Sequence, residues 1–202
     1  SWRTWTPFLA GRGHVLTVDL KGFGRAPKPA DGRYAPSDQA ELVLRLVRER
    51  DLARITLVGH SLGGGVALYV ALGLRDAGGH HRLQRLVLVA GAAYRQPLPP
   101  FVAMARHARL SGLALRALGP ELVIAQALRA MVFDPGDITR DQIRGYAAPL
   151  RDPGSFGALC ASALQIVPLD LDRITSRYRE IDVPALLLWG RQDGAVPLWV
   201  GH

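Results

Sequence analysis

The sequence predicts an α/β fold: a mostly parallel sheet with helices on both faces, interrupted by an all-helical insertion. Three observations predict it. Four short apolar runs are continuous rather than alternating, as expected of strands buried on both faces. Helical patterns separate the first three runs, which implies crossover connections and parallel strands. About ninety residues of helical pattern then precede the fourth run.

The first run, Val15–Leu20, is read as the first strand. Pro36-Ser37 opens a helix, with Ser37 as the expected N-cap. Its apolar stripe is Leu42, Val43, Leu46 and Val47, set against Arg45, Arg48, Glu49 and Arg50. Ile55–His60 is the second strand, and a helix from Leu62 to about Arg75 follows. Leu86–Ala90 is the third strand. Residues 95–180 read as amphipathic helices over about 100–118, 121–132, 138–147, 153–166 and 171–179. Asp137 and Asp152 are the expected N-caps there, with Pro153 at a first helical position. Ala185–Trp189 is the last strand. The expected organisation is a core over 1–94 and 181–202, with 95–180 as a helical cap or lid.

Composition narrows the function classes. Hydrophobic residues make up 49% and charged residues 21%, which suits a packed domain and not a disordered chain. No run approaches the roughly 18 apolar residues of a membrane span, and no signal peptide is visible, so no membrane partner is expected. The lone Cys160 forms no internal disulfide and fits a reducing, cytoplasmic setting. The net charge of +8 comes mainly from 23 arginines among 25 basic residues, scattered without a like-charge block. Nucleic-acid binding is therefore not expected. His80-His81 lacks further ligands nearby, so no metal is expected, and no organic cofactor is implied.

Gly59-His60-Ser61-Leu62-Gly63 joins the second strand directly to the following helix. This is the G-x-S-x-G pattern of a sharp strand-to-helix turn that exposes a serine hydroxyl. Side chains at 59 and 63 are expected to collide with neighbouring backbone, and Gly64 and Gly65 to let the helix approach the strand. Ser61 sits at a helix N-terminus, where unpaired amides favour negative charge, so the Leu62 amide is a candidate oxyanion donor. A serine nucleophile needs a base, and the base an orienting acid. Asp193 lies in a polar turn after the last strand, bounded by Gly190 and Gly194, and is the candidate acid. Gly91-Ala92-Ala93, after the third strand, holds no carboxylate, and Asp182 lies at the strand's entry, the wrong edge.

Gly59-His60-Ser61-Leu62-Gly63-Gly64 resembles the nucleophile elbow of the α/β-hydrolase fold superfamily. Asp19-Leu20-Lys21-Gly22-Phe23-Gly24-Arg25 resembles the loop after that family's fourth strand, and Gly190-Arg191-Gln192-Asp193 its acid turn. The resemblance implies a serine hydrolase for a small, largely apolar acyl substrate, with Ser61 as nucleophile and Asp193 as acid. Lid side chains such as Phe101, Met104, Leu113, Leu128, Met131, Phe133 and Leu164 are expected to supply an apolar lining. The family's histidine base lies a helix and a strand beyond the acid, so it is expected past His202, and a second oxyanion amide before Ser1. The chain is thus expected to be an internal, inactive stretch of a longer enzyme. His60 is read as a structural histidine facing away from Ser61. Esterase, C–C bond hydrolase, lactonase and acyltransferase chemistries stay open, as does a non-catalytic binding protein on the same fold.

Overall fold

A computed structural model describes residues 2–202. Two short helical pieces open the chain: a 3-10 turn, Trp2–Thr4, and α1, Thr6–Ala10. Helix α2 follows at Pro36–Glu49, then strand β1 at Ile55–His60, helix α3 at Leu62–Asp76 and strand β2 at Leu83–Val89. Five helices come next: α4 (Pro100–Ala105), α5 (Ala108–Arg129), α6 (Arg140–Ala147), α7 (Ser155–Gln165) and α8 (Leu171–Ser176). Strand β3, Ala185–Leu188, and a 3-10 turn at Leu198–Gly201 close the chain.

The sheet runs β1-β2-β3 with every pair parallel. Leu57 lies beside Leu86, and Gly59 beside Leu88, so these rows share one face. Helix α3 packs on that face through Ala67 and Leu68, forming a cluster with Leu86, Leu88, Ala93, Val196 and Val200. Removing a leucine side chain such as Leu86 from water contributes about 1.5–3 kcal/mol. A second cluster joins Ala40 and Val47 of α2 to Val66, Val70 and Leu74 of α3. On the opposite sheet face, Val58, Leu186 and Leu188 are exposed.

Three of the four expected strands form. Val15–Leu20 does not, because no strand pairs with it among the described residues. Its end is held from the side instead: Gln39 of α2 accepts from the Lys21 amide and donates to the Lys21 carbonyl, both at 2.9 Å. Leu20 packs on the α2–α3 cluster, while Leu16 and Val18 are exposed.

Helix boundaries also depart from expectation at their caps. Helix α2 starts two residues earlier, with Ala35 as N-cap and Pro36 as first residue, so Ser37 lies inside the helix. No side chain caps the first-turn amides; instead the Ala35 amide donates to Asp38 at 3.0 Å, the reverse half of a capping box. Thr139, not Asp137, caps α6 and forms a reciprocal pair with Gln142. Gly154, in left-handed conformation, precedes α7, so Asp152 and Pro153 fall outside it. Of the expected helices 100–118 and 121–132, the break between them holds, since Gly119 is non-helical (φ 75°, ψ 159°) ahead of Pro120 and divides α5 there, whereas the first is itself split: α4 ends at Ala105 and α5 begins at Ala108.

The helices between β2 and β3 are fastened to the core at their C-terminal end. The Tyr69 hydroxyl of α3 donates to Asp170 at 2.6 Å. Arg177 reaches both oxygens of Asp76, at 2.6 and 3.0 Å, and also donates to Glu180. Lys28 bridges from the other side, to the Gly24 carbonyl at 2.9 Å and to Asp152 at 3.4 Å.

Candidate active site

The carboxyl edge of a parallel sheet gathers loops, and this edge carries both predicted residues. Ser61 stands between the last residue of β1 and the first of α3, with φ 52° and ψ −121°. Such a backbone is strained for a residue with a side chain and persists only where its surroundings enforce it. Here the Ser61 amide donates to the Val89 carbonyl at 3.0 Å. Its carbonyl accepts from the amides of Gly64 at 2.9 Å and Ala92 at 2.9 Å. The turn is thereby fixed to β2 and to the first turn of α3.

The glycines divide by role. A Cβ on Gly59 would lie 2.4 Å from the Gly63 carbonyl oxygen and 2.7 Å from the Gly64 Cα. On Gly64 it would lie 2.5 Å from the Gly91 Cα, and on Gly65 2.7 Å from the Ala92 carbonyl oxygen. Gly63 differs from the expectation: a Cβ there meets nothing within 4 Å, because this position faces outward from the turn. Gly59, Gly64 and Gly65 therefore let α3 rest directly on the ends of β1 and β2. Leu62, at the first helical position, has an amide with no intrahelical acceptor, at the helix end where negative charge is favoured.

Asp193 lies in the turn after β3. Its Oδ1 accepts from the amides of Ala195 and Val196, both at 2.8 Å, leaving Oδ2 open to another donor. The turn is tied further by Trp189, whose indole N–H donates to the Val196 carbonyl at 3.2 Å. Gln96, in the linker after β2, donates to the Ala195 carbonyl at 3.2 Å. Gln96 carries no sequence signal: a single glutamine in a proline-rich linker has no pattern to mark it.

His60 shares this neighbourhood. The residue keeps exposed surface, yet local desolvation by the packed turn pushes its imidazole below the ordinary histidine range, and the nearby Asp193 carboxylate opposes that shift. The other histidines are elsewhere. His14 is exposed before Val15–Leu20, His107 precedes α5, His80 and His81 stack edge-to-face ahead of β2, and exposed His202 follows the Leu198–Gly201 turn. Asp182 is paired with Arg75 at the C-terminal end of α3. Among the described residues no three His, Cys, Asp or Glu side chains gather in a metal-holding cluster. Of the expected lid lining, Met104, Leu113, Phe133 and Leu164 are exposed.

The candidate site is thus a strained serine between a parallel strand and a helix, with a carboxylate turn at the same sheet edge. The model of the alpha/beta hydrolase family matches residues 1–202. The chain belongs to the alpha/beta hydrolase family. It is 26% identical over 201 residues to the uncharacterized hydrolase YugF of Bacillus subtilis, covering 100% of this chain and 71% of that one. It is 32% identical over 202 residues to the dihydrolipoyllysine-residue acetyltransferase component of the acetoin cleaving system of Pseudomonas putida, covering 98% and 49%. It is 28% identical over 204 residues to 2-hydroxymuconate semialdehyde hydrolase of a Pseudomonas species, covering 98% and 66%. The chain thus spans between about half and seven-tenths of the length of these relatives.

Solved structures agree on the hydrolase fold. An alpha/beta hydrolase fold protein from Burkholderia ambifaria superposes with a TM-score of 0.77 at 25% identity, covering 99% of this chain and 71% of that one. The 2-hydroxy-6-oxo-6-phenylhexa-2,4-dienoate hydrolase from Rhodococcus superposes with a TM-score of 0.75 at 22% identity, covering 98% and 69%. Among the described residues, no helix is long and apolar enough to cross a membrane.

Proposed function

We propose that this hydrolase-family chain carries the nucleophile and the acid of a serine hydrolase acting on a small, largely apolar acyl substrate. The observation that carries the reading is the enforced left-handed backbone of Ser61 at the start of α3. In this reading the Ser61 hydroxyl attacks the substrate carbonyl, and the Leu62 amide helps hold the oxyanion that forms. Asp193 offers its free oxygen to a histidine that takes the serine proton and returns it to the leaving group. Water then releases the acyl group. By resemblance to the family, that histidine lies beyond the acid, after a further helix and strand. The helices of 95–180 act as the cap over this edge. A cytoplasmic setting belongs to the same proposal and rests on the single free Cys160.

An ester is the first substrate class. Hydrolysis of a C–C bond beside a carbonyl is the second, favoured by similarity to relatives named 2-hydroxymuconate semialdehyde hydrolase. The two separate on turnover of short p-nitrophenyl esters and of a vinylogous 2-hydroxy-6-oxo dienoate by the protein as the cell makes it. Either way Ser61→Ala lowers turnover by about 10³-fold or more, because members of the triad act as a unit. Unchanged turnover in Ser61→Ala overturns the reading.

A further inference from the structure

The linker between β2 and α4 touches both halves of the candidate site. It leaves β2 at Ala90, whose φ of 44° is left-handed for a residue with a side chain. The Ala92 amide then donates to the Ser61 carbonyl at 2.9 Å. The Ala93 carbonyl accepts from the Tyr178 hydroxyl at 2.7 Å, which ties the linker to the approach to β3. Further along, Gln96 donates to the Ala195 carbonyl at 3.2 Å. Two turns far apart in sequence, at Ser61 and at Asp193, are thus joined through one short stretch, Ala92–Gln96.

The Ala195 carbonyl and the Val196 amide belong to one peptide group, and that amide donates to Asp193 Oδ1 at 2.8 Å. Gln96 therefore donates to one end of a peptide whose other end donates to Asp193. Hydrogen bonds in such a chain polarise and strengthen one another. A carbonyl oxygen only accepts, so the side-chain amide has one allowed orientation, with Nε2 toward Ala195. The Gln96 Oε1 is buried and has no hydrogen-bond partner among the described residues. An unpaired buried acceptor is costly, and an apolar side chain of equal length would fill the space without one. What the amide contributes here is its N–H.

We propose that Gln96 is a positioning residue for Asp193, acting through the Ala195–Val196 peptide, and so sets how firmly the acid holds the histidine of the triad. This rests on the reading of Ser61 and Asp193 as nucleophile and acid. A loosened Asp193 stabilises the imidazolium less, which lowers the histidine's pKa and slows removal of the Ser61 proton.

The rate of fluorophosphonate labelling at Ser61, followed across pH on the protein as the cell makes it, tests this. Gln96→Met keeps the length and removes the donor. Gln96→Asn keeps the amide and stops one methylene short. Each should lower the plateau rate constant about tenfold, the size of one neutral hydrogen bond. Each should also move the acid limb of the profile to lower pH, because the base titrates lower. His60 and Arg191, the other ionisable or charged groups by Asp193, are common to parent and variants, so they cancel in the comparison. Arg95→Gln, exposed on the same linker, should behave as the parent. Molecules that fail to fold lower the labelled fraction and leave the rate constant and the limb in place, so misfolding is read separately. The inference alone is overturned if Asp193→Asn slows labelling while both Gln96 variants keep the parent's rate constant and acid limb. A smaller labelled fraction at an unchanged rate constant also overturns it, since a purely structural side chain would behave that way. A parent protein that takes no label at Ser61 overturns the triad reading, and this inference with it.

Discussion

At Ser61 the chain adopts a backbone that a residue with a side chain avoids, and the surrounding glycines make that possible. Gly59→Ala places a methyl 2.4 Å from the Gly63 carbonyl oxygen, backbone against backbone, with no flexible atom to yield. It should lower stability by about 3 kcal/mol in urea unfolding. Gly63→Ala meets open space inside α3, so it should be neutral or stabilising by up to about 1 kcal/mol. Equal losses for both would show that the turn is not built as described. The motif itself was legible because strand, turn and helix leave a spaced signature. The division of labour among its glycines was not, since the direction of a missing Cβ depends on the turn's three-dimensional path. Asp193 was legible by its place after the last strand. The side chains that tie its turn, Gln96 on the Ala195 carbonyl and Trp189 on the Val196 carbonyl, were not, because hydrogen bonds to backbone carbonyls leave no periodic trace.

Among the elements, strands β1, β2 and β3 fell where continuous apolar runs predict them. Val15–Leu20 has the same pattern and forms no strand, since apolarity marks burial whereas a ladder needs a partner alongside. The caps were misplaced because α2 and α7 start after Ala35 and Gly154, with no side-chain cap, and only at α6 does one oxygen-bearing side chain, Thr139, replace another, Asp137. The fastening between α3 and the residues after α8 has an electrostatic consequence. Hydrogen bonds from Arg177 hold the Asp76 carboxyl below its ordinary value of 3.8, and the same guanidinium lowers Glu180. A carboxylate with a depressed folded value stabilises above its unfolded value and loses that contribution as pH falls through the folded one. Thermal melts from about pH 5 down to about pH 2 should therefore show a steeper loss in the parent than in Arg177→Gln. Parallel loss in both would remove this tether from the account of the fold.

Over the whole molecule, one sheet face is packed by α3, while Val58, Leu186 and Leu188 on the other remain exposed. Contiguous apolar surface of this kind promotes association. The 202-residue chain should therefore bind a hydrophobic dye, and Leu186→Lys with Leu188→Lys should cut that fluorescence several-fold. Unchanged fluorescence would place the dye elsewhere. The parallel architecture follows from the order of strands and helices, and family membership from a match over the full chain. The chemistry is the central claim, and covalent labelling of Ser61 tests it most directly. A fluorophosphonate reacts with a serine only where a base and an oxyanion site activate it. Mass spectrometry of the protein as the cell makes it should locate the adduct on Ser61. Asp193→Asn should slow labelling strongly, and Ser61→Ala should abolish it. An unlabelled Ser61, or an adduct that survives Ser61→Ala, would contradict the account.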